Sequence, residues 1–312
     1  MLLRYEKLSA HPTLFQKLTG LRLGEFSLLV LDVRPLLEEQ RNQRLNRPNR
    51  VRAVGGGEQP TLEARDQILM TIVWLRIYPT NELLGYLFGV SDSTASRVIN
   101  RVLPVLAKSG NDTMRKADPG RKHRLDLPQL LKELPELNLI VDSFEQKVQR
   151  CKNKREADLF YSGKKKQHTL KSQITIEAKS GQIVHVSQSV AGPTADFTLL
   201  KQSGVLEEVP KGVGVMGDLA YVGIGKVLPD AGSTPRRKPR GGEHSEEDKE
   251  YNRAFAKIRI EVEHTIGRLR NYQALTQNDR HHRKLHTERV QAVSGLANRQ
   301  IEARVLRYKL AA

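Results

Sequence analysis

Carboxylates in places that disfavour charge are the first residues to explain. Asp142 follows Leu139-Ile140-Val141 directly, near the end of a segment that reads as a strand buried on both faces. A carboxylate there is costly unless it is paired, hydrogen-bonded or bound to a metal ion. Asp218 repeats the pattern, closing the apolar run Val213–Met216 after Gly217. Each acid also has a plainer reading. Asp142 can be satisfied by an arginine or a backbone amide, and Asp218 can cap a helix. Two strand-end acids in one domain can, however, meet at the carboxyl ends of neighbouring strands, where open α/β sheets place their ligands.

A third acid has to come from a helix. Glu261 and Glu263 both lie in Arg259-Ile260-Glu261-Val262-Glu263-His264, two positions apart and so on nearly opposite helix faces. Glu263 shares its face with Arg259, Ile260, Ile266 and Gly267. That flank reads as the more buried one, with Gly267 allowing close approach to a sheet, so Glu263 is preferred. Its plainer alternative is a salt bridge to Arg259 or Arg270. Asp142, Asp218 and Glu263 together can hold Mg²⁺ or Mn²⁺, most simply a pair of ions about 4 Å apart, and this chemistry acts on phosphodiesters. It needs cations nearby to hold a nucleic-acid backbone. The run Tyr161–His168 supplies Lys164, Lys165, Lys166 and His168, and a basic loop from Ser233 to Gly242 supplies Arg236, Arg237 and Lys238. A solvated charged turn is the commoner fate of such lysines. His281, His282 and His286 cluster without a cysteine partner, which argues against zinc. Neither a phosphate-binding P-loop nor a G-x-S-x-G elbow is present.

Elements must position these residues. Leu137–Phe144, Leu170–Ala178 and Gln182–Val190 read as strands, the last two joined by a hairpin turn at Lys179-Ser180-Gly181. A short helix over Ala195–Gly204, a strand over Val213–Met216 and a long helix over Ser245–Asn271 follow. This order predicts an α/β domain, a mixed sheet flanked by helices. Ahead of it the pattern is all helical. A helix is expected over Leu21–Glu39 with Leu28, Leu31 and Leu36 apolar, and another from Thr61 to before Pro79. Thr80–Leu87, a break at Gly89-Val90-Ser91, and a helix capped by Ser91 or Asp92 with Val98, Val102 and Leu106 buried make a helix-turn-helix pattern. The second helix offers Ser93, Ser96, Arg97, Asn100 and Arg101, which suit phosphate and base-edge contacts. An ordinary helical hairpin is the alternative. The expected division is 1–57 (N-terminal helical region and basic linker), 58–108 (helix-turn-helix), 109–126 (connector), 127–275 (α/β domain, opening with a short helix over Leu127–Leu137) and 276–312 (basic helical tail).

Composition agrees with a polyanion as partner. The 312 residues carry 52 Lys and Arg against 35 Asp and Glu, a net charge of +17, which usually signals nucleic acid. The single cysteine, Cys151, rules out a disulfide within the chain and any multi-cysteine zinc site. With no apolar run of spanning length and no signal-peptide pattern, a cytoplasmic, nucleoid-associated protein is expected.

Several segments in order carry a family likeness: Ile140-Val141-Asp142-Ser143, Tyr161-Ser162-Gly163-Lys164-Lys165-Lys166 with His168, Gly192-Pro193-Thr194-Ala195-Asp196, Gly217-Asp218-Leu219-Ala220-Tyr221, and Tyr251-Asn252 with Arg259–Leu269. Over roughly Leu127–Tyr272 the chain resembles DDE-type transposases of the bacterial IS5 group. The resemblance implies an RNase H-like catalytic domain behind a helix-turn-helix, with Asp142, Asp218 and Glu263 as the three acids. It also implies roles for Arg259, four before the Glu, and Arg270, seven after it. A tyrosine expected three before the Arg is Ala256 here, next to Phe255. Asp196 falls where relatives often carry an acid, although a first-turn residue stabilised by the helix dipole is the preferred reading. The implied activity is binding of terminal inverted repeats, then metal-dependent strand cleavage and strand transfer into target DNA, by a homodimer or larger assembly on DNA. The alternatives are a helix-turn-helix protein that has lost chemistry and an RNase H-like endonuclease without strand transfer.

Overall fold

A computed structural model of the chain describes residues 3–45, 60–114, 137–209 and 212–311. Most of the expected basic linker, most of the connector and the short helix expected before the first strand lie outside the described residues. The chain divides into two compact units, one of Met1–Asp112 with Asn271–Leu275 and Gln291–Ala312, the other of Thr113–Arg270 with Thr276–Val290. The helical region expected at 1–57 and the helix-turn-helix thus share one unit. The segment 276–312, read from sequence as a single tail, is split between the two units.

The first unit is helical: α1 (Tyr5–Leu8), α2 (Pro12–Thr19), α3 (Leu23–Leu45), α4 (Ala64–Ile77), α5 (Asn81–Phe88) and α6 (Asp92–Asp112). Tyr5, Phe15 and Phe26 pack ring to ring, with centroids 5.2–6.2 Å apart. Helix α4 is buried from Gln67 to Leu75 because α2, α3 and α6 all pack against it. Helix α3 corrects the sequence reading. It buries Phe26, Leu29, Val33 and Leu37, while Leu28 and Leu31 are 61% and 68% exposed. Two apolar stripes compete on this helix, and periodicity alone cannot say which one meets a partner.

The second unit is the α/β domain. Its elements are β1 (Leu137–Lys147), α7 (Lys154–Leu159), β2 (Tyr161–Ser162), β3 (Gln167–Glu177), β4 (Ile183–Val186), β5 (Val190–Ala191), α8 (Asp196–Gln202), α9 (Val205–Glu208), β6 (Gly214–Met216), α10 (Ile224–Val227), β7 (Gly232–Ser233) and α11 (Glu246–Arg270). Helix α12 (His286–Ala311) begins in this unit and continues into the residues of the first. The sheet runs β2-β3-β1-β6-β7, with β4 and β5 also pairing with β3. β1 and β3 are antiparallel, whereas β1–β6 and β6–β7 are parallel. This mixed sheet with helices packed on it is the expected RNase H-like α/β fold. On one face Leu139, Val141, Leu200, Val205, Val213, Val215, Tyr221 and Ile224 form a core cluster. α11 packs against β1, burying Tyr251, Phe255, Val262, Ile266 and Leu269.

The histidine-rich segment serves this packing. His286 is fully buried, its Nδ1 2.7 Å from Ser189 Oγ and its Nε2 2.8 Å from Gln146 Oε1. Gln146 Nε2 donates to the Gln277 carbonyl, so Gln146 Oε1 accepts and His286 carries its proton on Nε2. Burial, with Arg289 adding repulsion, lowers its pKa to about 3 and keeps the ring neutral.

Candidate active site

The parallel register of β1 and β6 sets the first two acids level. Their last pair is Ile140 with Met216, so two residues further along each chain come Asp142 and Asp218. β1 does not end at Phe144, just past Asp142, as the sequence suggested. It continues to Lys147 against β3. What ends is β6, and the gap it leaves exposes one edge of β1. Asp142 stands at that step in the sheet, its side chain 17% exposed. The Ser143 amide donates to Asp142 Oδ1 at 2.8 Å, and Arg259 Nη1 lies 3.2 Å from Oδ2. Burial, reinforced by Asp218 and Asp196 and opposed by the Ser143 amide and Arg259, raises the Asp142 pKa to about 6. Asp218 caps the 3-10 turn Leu219–Tyr221, accepting from the Ala220 amide at 2.8 Å. Gly217 lets this turn close. A Cβ there would lie 2.7 Å from the Tyr221 side chain.

Helix α11 brings Glu263 into the same network. Arg259 spans Asp142 and Glu263, with its Nη2 2.5 Å from Glu263 Oε1. Both plain alternatives therefore also occur, an arginine beside Asp142 and an ion pair at Glu263. The burial argument for Glu263 does not hold. Glu263 is 53% exposed and Glu261 26%, and Gly267 has open space where a Cβ would go. Here α11 turns its Glu261 flank, not its Gly267 flank, toward its neighbours. Glu261 faces the β3–β4 turn, where a Cβ on Gly181 would meet it at 2.5 Å, and its carboxylate lies 3.6 Å from Arg268. What favours Glu263 over Glu261 is its link to Asp142, since it is the less buried of the two. At the departure from the family pattern, Ala256 is exposed and Phe255 is buried.

Among the described residues no group of three or more His, Cys, Asp or Glu side chains is set to hold a metal ion. Asp142 and Glu263 converge on the Arg259 guanidinium, not on a common point. The donor set is nevertheless one that hard divalent cations choose, oxygen only. Burial first, and then the neighbouring acids Asp218 and Asp196, make the Asp142 carboxylate costly to charge, a cost that a divalent cation would relieve.

Of the expected cationic contacts, Lys164, Lys165 and Lys166 are exposed at the tip of the β2–β3 hairpin, and the His168 ring packs against Tyr161 at 5.5 Å. Arg237, Lys238 and Arg270 are exposed. Arg236 is committed to α11: it pairs with Asp248 at 2.9 Å and lies 4.7 Å over the Tyr251 ring. In the helical unit, Thr80 caps α5, Gly89 makes the turn with φ +64°, and the Ser91 hydroxyl accepts from the Thr94 amide at 3.2 Å. Val98, Val102 and Leu106 are buried. Ser93, Arg97 and Asn100 are exposed and Ser96 is half-buried beside them. Arg101 departs from this face. It donates to Gln67 of α4 at 2.7 Å, and burial lowers its pKa.

Sequence reasoning missed a polar cluster beside Asp142. Lys171 Nζ lies 2.7 Å from Asp196 Oδ1 and 3.9 Å from Glu145 Oε1. Ser143 Oγ donates to Asp196 Oδ1 at 2.8 Å, and Gln173 Nε2 donates to Tyr221 Oη at 3.0 Å. The available signals were the acid at Asp196, read from sequence as a first-turn residue, and a lysine and a glutamine alternating inside the β-rich run Leu170–Ala178.

Comparisons with known proteins bear on both units. Residues 141–298 match the family model described as DDE superfamily endonuclease. Residues 60–112 match that of the helix-turn-helix of DDE superfamily endonuclease. The chain is similar to a protein of Microchaete diplosiphon described as a transposase for insertion sequence element IS702, 33% identical over 247 residues, which cover 78% of this chain and 83% of that protein. It is also similar to one of Streptomyces albus G described as a transposase for insertion sequence element IS112, 26% identical over 233 residues, 72% of this chain and 75% of that one. No solved structure matches it significantly.

Proposed function

Because the chain belongs to the DDE-superfamily transposases that carry a helix-turn-helix ahead of the catalytic domain, we propose that it binds the terminal inverted repeats of an insertion sequence, cleaves strands at its ends and joins the freed 3′-OH to target DNA. The observation that carries this reading is the pairing of Ile140 with Met216 on parallel strands, two residues before Asp142 and Asp218 respectively, with Glu263 linked to Asp142 through Arg259. The motifs around these acids favour the IS5 group within the family.

In this reading Asp142, Asp218 and Glu263 would hold one or two Mg²⁺ or Mn²⁺ ions, whose charge activates the attacking hydroxyl and stabilises the leaving oxygen. The residues of the chain bind and orient the DNA. Ser93, Ser96, Arg97 and Asn100 on α6 read the terminal repeat, and Arg101 braces that helix from behind. Lys164–Lys166 with His168, Arg237, Lys238 and Arg270 hold phosphates near the acids, and Arg236 fixes the basic loop to α11. Arg259 keeps the carboxylates of Asp142 and Glu263 in reach of each other. No helix among the described residues is long and apolar enough to cross a membrane. The protein works at DNA, in the nucleoid of the cytoplasm. Two DNA ends have to be held together for joining, so a homodimer or larger assembly forms on DNA.

Asp142→Asn tests the reading with labelled end DNA and Mg²⁺. Cleavage should fall at least about 10³-fold while end binding stays unchanged. Lost binding would make Asp142 structural. A wild type that binds without cutting would be a DNA-binding protein only, and cutting without joined products would mark an endonuclease.

A further inference from the structure

Three buried charges lie beside the step in the sheet, and none belongs to the three acids. The Lys171 side chain on β3 is 9% exposed, Glu145 on β1 is 7% and Asp196 at the start of α8 is 14%. Lys171 Nζ also donates to the Thr194 carbonyl at 2.5 Å. Burying such charges carries a desolvation penalty that well-packed apolar residues would avoid, so stability alone does not call for them. The connections of the cluster suggest what the charges are for. The Asp196 carboxylate takes the Ser143 hydroxyl, and the amide of the same Ser143 donates to Asp142. The Asp196 carbonyl takes Gln173 Nε2 at 3.2 Å, which also reaches the Tyr221 hydroxyl. The Tyr221 ring closes on Gly217, immediately before Asp218. One buried pair is therefore one residue away from Asp142 and one ring away from the Asp218 turn.

We propose that Lys171 and Asp196 are positioning residues, a buried ion pair that fixes Ser143 and Tyr221 and through them the carboxylates of Asp142 and Asp218. The inference rests on the transposase reading above. Lys171 compensates the charge of Asp196, so that Asp196 can anchor Ser143 without adding an unpaired anion behind the acids. Neither residue touches DNA or a reacting atom in this role.

The test uses the full chain, a supercoiled plasmid carrying the element ends, and MnCl₂. Lys171→Met, Asp196→Asn and the double variant are compared with wild type. Calorimetric titration with Mn²⁺ gives the ion affinity without turnover, and nicking assays give kcat and KM separately. Each single variant should weaken Mn²⁺ binding and lower kcat by about 10–100-fold, the range typical of groups that orient metal ligands. KM for DNA should stay within about twofold, because the change lies away from the phosphate contacts. The double variant should recover part of the loss seen in Lys171→Met, because it removes one of the two buried anions, Asp196 and Glu145, that the lost lysine leaves behind. Lys171→Arg, which keeps the charge, should sit nearest wild type. Should Lys171→Met fail to fold, Asp196→Asn, which preserves volume, carries the same comparison. Wild-type kcat and Mn²⁺ affinity in the single variants would overturn the proposal, as would a double variant worse than Lys171→Met. A wild type that neither binds Mn²⁺ nor nicks DNA would overturn the transposase reading and this inference with it.

Discussion

Asp142 is where local physics speaks most directly. Its carboxyl is raised to about 6, first by burial and then by neighbouring acids. A folded-state pKa above the ordinary 3.8 means that folding favours the protonated form. The penalty is therefore present in full above about pH 6 and is relieved as pH falls toward 4. In metal-free protein Asp142→Asn should be the more stable form at pH 8, by up to about 3 kcal/mol. The advantage should vanish near pH 4. Thermal melts of both proteins in chelator across that range measure it, and a variant less stable at pH 8 would show that Arg259 outweighs desolvation. Arg101 gives the opposite lesson. Its type and spacing matched its outward-facing neighbours, yet its guanidinium turns to Gln67. Helical spacing sets direction only to within a sector, and a buried acceptor nearby decided the rest.

At the scale of elements, Asp218 depends on a turn that only a glycine permits. Gly217→Ala would place a Cβ 2.7 Å from a buried tyrosine. Either the ring or the Asp218 turn must then move. The expected cost is about 1–3 kcal/mol, seen as a melting temperature several degrees lower, together with weaker Mn²⁺ binding. Unchanged Mn²⁺ affinity would mean that Asp218 does not need this turn. The longer elements were legible in sequence. β1, β3, β6 and α11 were expected within a few residues, because buried strands and an amphipathic helix imprint their periods. β2, β5 and β7 are two residues each, too short for a period, and exist only because β3 or β6 offers an unpaired edge. The strand expected over Gln182–Val190 is two pieces, broken at Ser187–Ser189, where the Ser187 hydroxyl accepts from the Gln173 amide, the Ser189 amide donates to the Thr287 hydroxyl and the Ser189 hydroxyl meets His286.

For the whole molecule, the net charge of +17 is a statement about partners. DNA affinity should fall steeply with salt, as counterions released from phosphates are drawn back. Arg97→Ala should weaken binding and, if Arg97 contacts a phosphate, reduce the slope of log K against log salt by about one. An unchanged affinity in fluorescence anisotropy titrations would remove α6 from the interface. The division into units was less readable than the charge. Gln291–Ala312 counts with the first unit and Thr276–Val290 with the second, so one helix serves both, and no composition shift marks the exchange.

The sequence by itself determined the ingredients: a basic chain, a capped helical pair, a mixed sheet, and acids at the ends of apolar runs. These are local properties, written in charge, period and turn residues. Tertiary structure alone decided which side chains are linked. The parallel register of β1 and β6 brings the chain to Asp142 and Asp218 at the same end of the two strands, and Arg259 ties Glu263 to Asp142. The pairing of β3 with β1 buries Lys171 beside Asp196. Such contacts join residues tens of positions apart, and strand register, which fixes them, is a property of two segments at once.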